Sequence, residues 1–200
     1  SRVSRLAASE QMVMASEVVL IRHGATEWSA NGRHTGRTDI PLIDEGRAAA
    51  RALAPRVAAF DFALVLVSPL QRARETCDLV GLGAGAVIDD DLREWDYGDY
   101  EGVTTKEVRE TDPGWTVFTG AVPNGETPEQ VATRADRVIA RADGVDGTVA
   151  LVAHGHILRV LGARWCSLAP TDGARLCLDT STLCVLGYER ETKCVRSWNC

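Results

Sequence analysis

The sequence has no excess of basic residues. It contains 22 Lys and Arg against 28 Asp and Glu, which gives a formal net charge of -6. A surface that binds nucleic acid in general needs a basic face, so we expect no nucleic-acid partner. An acidic protein that binds an anion must gather positive charge locally. Clusters of Arg and His are therefore the candidate sites.

Metal-binding cysteine pairs and long apolar runs are also missing. None of the 6 Cys forms a C-x-x-C pair, which argues against a structural zinc site and favours free thiols in a reducing compartment, so a cytoplasmic location is expected. No apolar run is long enough to cross a bilayer, so we expect no membrane partner. The cysteines are Cys77, Cys166, Cys177, Cys184, Cys194 and Cys200.

The length and composition predict one globular domain. A chain of 200 residues with 45% hydrophobic and 25% charged residues is typical of a single soluble domain. Residues 1–16 are mixed and polar, without the apolar core of a signal peptide. We expect them to be a tail, either disordered or added before a natural start at Met12 or Met14. The domain would then cover residues 17–200, and its oligomeric state cannot be predicted from the sequence.

Strands and helices alternate along the chain. Such alternation, with continuous apolar strands, is typical of a mostly parallel sheet covered by helices on both faces. We therefore expect an α/β fold, a three-layer αβα sandwich with the active site at the carboxyl ends of the strands. The predicted strands are 17–22, 62–67, 148–153, 175–188 and 194–198; the predicted helices are 43–59, 70–80, 128–142 and 155–166; the predicted loops that could cover the site are 81–102 and 111–126.

Several residues predict where helices begin and end. Asp44 is a plausible N-cap for the helix at 43–59, and Pro55 predicts a kink or an early end there. Thr127 is the predicted N-cap of the next long helix. Pro128 then takes the first helical position, and Gln130 completes a capping box.

All 4 His of the chain lie in two places. His23 and His34 follow the first predicted strand, and His154 and His156 follow the strand at 148–153. This placement at strand ends favours a functional role for His23 and His154. For His34 a structural role is equally acceptable, and His156 is also interpreted as a residue that orients its loop through a ring N–H.

Arg22-His23-Gly24 combines the groups needed to attack an anion. A histidine nucleophile needs a neutral ring nitrogen, and the anion needs positive charge around its oxygens. Arg22 supplies a fork suited to phosphate. Gly24 allows the backbone to approach closely. The tripeptide alone is suggestive only.

The wider set of motifs resembles the histidine phosphatase superfamily, whose fold is that of the phosphoglycerate mutases. The resemblance covers about residues 17–188. Segments 27–39 and 91–102 look most similar to its sugar-bisphosphatase and acid-phosphatase branch. The motifs are, in order, 20–28 (LIRHGATEW), Thr35-Gly36, 68–76 (SPLQRARET), 92–94 (LRE), 98–102 (GDYEG) and 152–156 (VAHGH).

The resemblance implies a phosphatase without metal or cofactor. His23 would be the nucleophile that forms a phosphohistidine. Arg22, Arg72 and His154 would bind the phosphoryl oxygens, which matches the dispersed negative charge of a phosphoryl group in transfer. Glu94 would protonate the leaving alcohol and then activate water. Apolar neighbours, Trp95 and Tyr97, are expected to help Glu94 hold its first proton.

The resemblance also implies residues that bind the rest of the substrate. Many family members have Asn directly after the Trp of the first motif, where this chain has Ser29, a hydrogen-bond donor of shorter reach. We interpret this as a feature of the branch. The other implied substrate-binding residues are His34, Thr35, Gly36, Tyr97, Gly155 and Arg159.

Three alternative functions are considered. A phosphoglycerate mutase would need groups for the substrate carboxylate, and the segment after Glu94 offers only Lys106 and Arg109, which favours hydrolysis. A metal hydrolase built on the histidines would place Arg22 and Arg72 beside a cation, which is unfavourable. A non-catalytic binding protein would lack part of the site, and no part is missing. We therefore expect a phosphatase that acts on small metabolites, most simply sugar phosphates; a second phosphate would need Arg159, Lys106 or Arg109.

Overall fold

A six-stranded sheet forms the centre of the computed structural model, which describes residues 15–200. The strand order is β3-β2-β4-β1-β5-β6. The first four of these strands pair in parallel, β5 is antiparallel to β1, and β6 is antiparallel to β5. The strands are β1 (Ala15–Arg22), β2 (Phe62–Val67), β3 (Ala86–Ile88), β4 (Gly147–Ala153), β5 (Leu183–Glu189) and β6 (Thr192–Ser197).

Helices cover both faces of the sheet, so the predicted three-layer α/β fold is confirmed. Alternate residues of a strand point to opposite faces. Val19 and Ile21 of β1 pack with α2 and α3, whereas Val18 and Leu20 pack with α5 and α6. The helices are α1 (Glu27–Asn31), α2 (Asp44–Val57), α3 (Gln71–Leu79), α4 (Thr105–Val108), α5 (Pro128–Asp143) and α6 (Gly155–Trp165). No described helix is long and apolar enough to cross a membrane.

The predicted long elements are present, with some changes at their ends. β2 has the predicted bounds, and α5 begins with the predicted capping box, in which Thr127 Oγ1 accepts from Gln130 N and Gln130 Oε1 accepts from Thr127 N. The N-cap of α2 is Ile43 and not Asp44, which is the first helical residue. The helix ends two residues after Pro55.

Two predictions about strands are wrong or incomplete. The strand predicted at 175–188 begins only at Leu183, because a 3₁₀ helix at Pro170–Arg175 and a turn occupy the chain before it. The predicted loop 81–102 contains the short edge strand β3. The predicted tail, 1–16, lies outside the described residues except for Ala15 and Ser16, which already belong to β1.

The capping box of α5 predicts a measurable contribution to stability. Thr127→Ala removes the side-chain oxygen that accepts from Gln130 N, and loss of such a cap costs about 1 kcal/mol. Urea unfolding should show this decrease. Thr133→Ala, at an exposed position within the same helix, is the matched control and should leave stability unchanged or slightly higher. Equal destabilisation by both changes would contradict the role of the cap.

Candidate active site

Three chemically active side chains follow three neighbouring strands of the sheet. His23 extends β1 and donates its backbone N–H to Ala153 O at 3.0 Å, and Ser68 extends β2 and donates to Val152 O at 3.0 Å. His154 follows β4 directly. Because β4 lies between β2 and β1, these side chains meet at the carboxyl edge of the sheet, as the motif positions predict.

His23 is held in the tautomer that a nucleophile requires. Its Nδ1 lies 2.7 Å from Gly24 O. A carbonyl can only accept, so Nδ1 carries the proton and Nε2 keeps its lone pair. Burial, followed by the nearby charges of Arg72 and Arg22, lowers the pKa of His23 well below its ordinary value of 6.5. The ring is therefore neutral at physiological pH.

His154 lies against His23, with 5.0 Å between the ring centroids. Its Nε2 is 2.7 Å from Ser68 Oγ. Among the described contacts, His154 Nε2 is the acceptor that the Ser68 hydroxyl can reach. The hydroxyl therefore donates to Nε2, and the ring proton lies on Nδ1. Burial, followed by the charge of Arg72, lowers the pKa of His154 well below 6.5, which keeps the ring neutral.

Three buried nitrogen atoms at this edge have no hydrogen-bond partner in the part of the chain that the structure describes. They are Arg22 Nε, Arg72 Nε and His154 Nδ1; among the described residues only Ser181 Oγ shares this condition. Arg22 is anchored from behind, since its Nη1 donates to Leu178 O. Buried polar groups in proteins are almost always paired. Three unpaired donors beside one neutral imidazole therefore indicate a site for an anion.

The guanidinium of Arg72 is oriented by a short loop. Its Nη1 donates to Thr38 O at 2.9 Å, and its Nη2 donates to Thr35 O and Gly36 O, both at 3.0 Å. The loop itself is fixed by the carboxylate of Glu101, which accepts from Gly36 N and Thr38 N. Glu101 thus acts on Arg72 through the loop, and Nε is the nitrogen left for a ligand.

Glu94 is buried at the N-terminus of α6. Its Oε1 accepts from Ile157 N and Trp95 N, both at 2.9 Å, and its Oε2 accepts from His156 N at 3.0 Å. All three hydrogen bonds are donated by backbone N–H groups. These polar contacts contrast with the apolar surroundings predicted from Trp95 and Tyr97.

An ion pair between Glu126 and Arg134 fixes the segment that carries Glu94. Arg134 donates to the carbonyl oxygens of Asp91 and Arg93 at 2.6 and 2.9 Å, and its Nη2 lies 3.4 Å from Glu94 O. The guanidinium is held by Glu126 through two bonds of 2.8 Å. The position of Glu94 therefore depends on α5, which carries Arg134.

A pocket opens above these groups. Its volume is about 200 Å³, below the several hundred Å³ typical of drug-sized ligands, so it suits a small metabolite. Arg72 and His154 lie behind its wall. The residues that line it are Arg22, His23, Ser29, Gly32, Arg33, His34, Thr35, Glu94, Tyr97, Thr105, Gly155, His156 and Arg159.

Two neutral histidines form part of the pocket wall. Burial raises the pKa of Tyr97 well above 10.0, so its hydroxyl stays protonated and donates to His156 Nδ1 at 2.5 Å. This leaves the ring proton of His156 on Nε2. His34 Nδ1 donates to Val103 O at 2.6 Å, and its Nε2 faces Thr105 Oγ1 at 3.4 Å. Burial lowers the pKa of both histidines, so neither adds charge to the pocket.

Two predicted substrate residues have other contacts. Ser29 lines the pocket, but its hydroxyl donates to Thr26 O and accepts from Thr26 N, within the first turn of α1. Gly36 does not line the pocket. A Cβ at Gly36 would lie 2.6 Å from Trp95 O and 2.7 Å from Glu101 Oε2, so glycine is required there by close packing. The phosphate roles of both residues stay predictions.

The basic residues of the pocket differ from those considered in the sequence. Lys106 and Arg109 do not line it, and Arg109 Nε donates to Trp115 O. Arg159 lines it, and so does Arg33, which the sequence reasoning missed. Arg33 precedes the motif Thr35-Gly36, but an exposed arginine outside a motif carries no signal of its own.

Other pocket residues were also missed. Gly32 lies in the recognised segment 27–39 but had no binding role assigned to it, and Thr105 lies outside the recognised motifs. The tie between His156 and Tyr97 joins residues 59 positions apart. Ser181 has a left-handed backbone, φ 54°, and donates its N–H to His23 O. Its buried hydroxyl has no partner among the described residues and belongs to the residue that contacts His23. The predicted strand over 175–188 gave no indication of this turn.

Comparisons with known proteins agree with this geometry. The chain is 39% identical to an acid phosphatase of Mycobacterium tuberculosis over 176 residues, 86% of each chain. It is 35% identical to sedoheptulose 1,7-bisphosphatase of Saccharomyces cerevisiae over 184 residues, 75% of this chain and 67% of the relative. Relatives named as phosphoglycerate mutases match at 27% to 31% identity.

A solved structure has the same fold. The product of an open reading frame of Mycobacterium tuberculosis superposes with a TM-score of 0.87 at 36% identity, over 92% of this chain and 96% of that one. Residues 18–200 match the family model of the histidine phosphatase superfamily (branch 1). The resemblance predicted from the motifs is confirmed, and the chain belongs to the histidine phosphatase superfamily.

Proposed function

We propose that this protein is a phosphatase that hydrolyses phosphomonoesters of small metabolites through a phosphohistidine at His23. One observation carries the proposal. Arg22 Nε, Arg72 Nε and His154 Nδ1 are buried without partners around an imidazole whose Nε2 has a free lone pair. A phosphoryl group would satisfy all three donors at once. The phosphatase relatives support the same reaction.

In the first step His23 Nε2 forms a bond to phosphorus, and the ester P–O bond breaks. The three donors hold the phosphoryl oxygens, where positioning and positive charge provide most of the catalysis. Glu94 gives its proton to the leaving alcohol. In the second step a water attacks phosphorus, Glu94 takes the water proton, and the P–N bond breaks to release inorganic phosphate.

The same proposal covers the substrate, which we expect to be a small phosphorylated metabolite, and a reaction that needs no metal ion. A pocket of about 200 Å³ with polar walls suits a sugar phosphate or a similar metabolite. Within residues 15–200 no three His, Cys, Asp or Glu side chains are placed to hold a metal ion, and two arginines supply the positive charge. All 6 Cys are free thiols, which supports a cytoplasmic location.

The mutase alternative rests on the mutase relatives, and no observation of the pocket favours it. A panel of phosphorylated metabolites, assayed with EDTA present, separates the two. Release of inorganic phosphate supports hydrolysis. Conversion of 3-phosphoglycerate to 2-phosphoglycerate without phosphate release would support the mutase.

Replacement of the nucleophile is the first test. His23→Ala should lower kcat by about 10⁴-fold or more, because the covalent route is removed. Enzyme denatured during turnover of a radiolabelled phosphate ester should carry acid-labile label in the wild type and none in the variant. Circular dichroism controls for folding. Acid-labile label on His23→Ala would contradict the assignment.

The proposed acid predicts a dependence on the leaving group. Glu94→Gln should slow alkyl phosphates by about 10²–10⁴-fold, because their alcohols need a proton as they leave. Esters of nitrophenol, an easily expelled group, should slow much less. If Glu94→Gln slowed the alkyl and the nitrophenyl esters by the same factor, Glu94 would not be the acid.

The lowered pKa of His23 predicts activity in acid. The ring reacts when neutral, and its pKa in the free enzyme lies well below 6.5, so protonation of His23 should inhibit only well below that pH. The measurement is kcat/KM against pH, corrected for the second ionisation of the substrate phosphate. An inhibitory protonation at pH 6.5 or above would contradict the prediction.

A further inference from the structure

One buried hydroxyl of the motif 68–76 is not used by the proposed function, on which this inference rests. From the same motif, Ser68 contacts His154 Nε2 and Arg72 leaves its Nε for the phosphoryl group. Thr76 follows Arg72 by one helical turn in α3 and is fully buried. It does not line the pocket, so any effect of Thr76 on the reaction must pass through other residues.

The Thr76 hydroxyl joins two backbone groups of the site. Its Oγ1 lies 2.7 Å from Arg72 O, and because a carbonyl can only accept, the hydroxyl proton points to that oxygen. Gly24 donates its N–H to the same Oγ1 at 3.0 Å. Thr76 thus connects the segment of the proposed nucleophile, His23, to the helix that carries Arg72.

Gly24 N–H is the one backbone group of His23-Gly24 that depends on the side chain of a distant residue. His23 N–H donates to Ala153 O at 3.0 Å, and His23 O accepts from Ser181 N at 3.2 Å. Gly24 O faces the ring Nδ1 of His23 at 2.7 Å. Among the described contacts, Thr76 Oγ1 is the acceptor of Gly24 N–H. Removal of this hydroxyl would therefore leave a backbone donor without a partner beside the nucleophile.

The opposite side of Gly24 is held by close backbone packing. A Cβ at Gly24 would lie 2.5 Å from Gly46 O, and a Cβ at Gly46 would lie 2.2 Å from Ala25 O. Ala25 O also accepts from Ile43 N at 3.0 Å. The start of α2 thus fixes the chain after Gly24, whereas Thr76 fixes the plane of the peptide before it.

We propose that Thr76 is a positioning residue that keeps His23 in its reactive tautomer. The ring proton stays on Nδ1 while Gly24 O faces it, because the bond made by one ring nitrogen determines the state of the other. Without the Thr76 hydroxyl, the unpaired Gly24 N–H would turn toward another acceptor, which the conformational freedom of glycine permits. Gly24 O would then leave Nδ1. The ring would populate the tautomer with its proton on Nε2, which has no lone pair for attack on phosphorus.

Two substitutions separate the hydroxyl of Thr76 from its methyl group. Thr76→Val keeps the branched shape without the hydrogen bonds, and Thr76→Ser keeps the hydroxyl without the methyl group. Thr76→Val should lower kcat/KM for p-nitrophenyl phosphate by about 10²-fold, as expected for a misplaced reacting group. Thr76→Ser should retain most of the wild-type value. A packing role predicts the opposite order, because only Thr76→Ser leaves a cavity.

Binding of the anion should not change with the tautomer. Inorganic phosphate contacts the arginine donors, so its competitive inhibition constant should be the same in the wild type and both variants. Thr133→Val is the matched control. Thr133 Oγ1 donates to Glu129 O at 2.8 Å, the same intrahelical bond that Thr76 makes, but it lies exposed on α5 without a loop contact. This variant should leave kcat/KM unchanged.

The tautomer can also be measured without turnover. In long-range ¹H–¹⁵N spectra of protein labelled at histidine, protonated and unprotonated ring nitrogens have separate shifts, and His23→Ala identifies the signals of His23. At neutral pH the wild type and Thr76→Ser should show a protonated Nδ1 and an unprotonated Nε2. In Thr76→Val both shifts should move toward the average of the two tautomers.

Wild-type kcat/KM with an unchanged tautomer in Thr76→Val would overturn the inference. A larger loss in Thr76→Ser than in Thr76→Val would do the same. If Thr76→Val does not fold, Thr76→Ser decides: the inference stands if its tautomer and kcat/KM match the wild type and falls if they do not. Acid-labile phosphoenzyme would persist in all these cases, and the proposed function would stand. Absence of that label from the wild-type enzyme would instead contradict the proposed function, whatever the tautomer.

Discussion

The candidate active site depends on buried hydrogen-bond donors that have no acceptor among residues 15–200. An unsatisfied buried donor costs about 1–3 kcal/mol, and Arg22, Arg72 and His154 each leave one such nitrogen at the same edge of the sheet. In the proposed function, a bound phosphoryl group would replace this cost with charge-assisted hydrogen bonds. The surrounding structure holds the three donors in place for such a ligand.

Two carboxylates outside the pocket provide that support. Glu101 fixes the loop whose carbonyl oxygens orient Arg72, and Glu126 fixes Arg134, which contacts the backbone around Glu94. Glu101 acts on Arg72 through the backbone N–H and carbonyl groups of the loop, whereas Glu126 forms a direct ion pair with Arg134. The motif around Glu101 thus has a structural explanation: it positions Arg72, whereas α5 positions the segment that carries Glu94.

The parts that could be predicted are those that repeat a simple pattern. Apolar runs predicted the central strands, and residues directly after those strands had to meet at one edge, which brought His23 and His154 together. The parts that could not be predicted depend on tertiary contacts. Ser181 adopts a left-handed turn beside His23 where a strand was expected. Arg33 lines the pocket on a backbone that pairs with Thr104, far along the chain.

The most direct measurement is a crystal structure of the protein with tungstate, a tetrahedral oxyanion that cannot be hydrolysed. Its oxygens should lie about 2.7–3.2 Å from Arg22 Nε, Arg72 Nε and His154 Nδ1. The tungsten atom should take the place of phosphorus, directly in front of the lone pair of His23 Nε2. Tungstate bound elsewhere, or bound in the pocket while Arg72 Nε and His154 Nδ1 still lack a partner, would contradict the central claim.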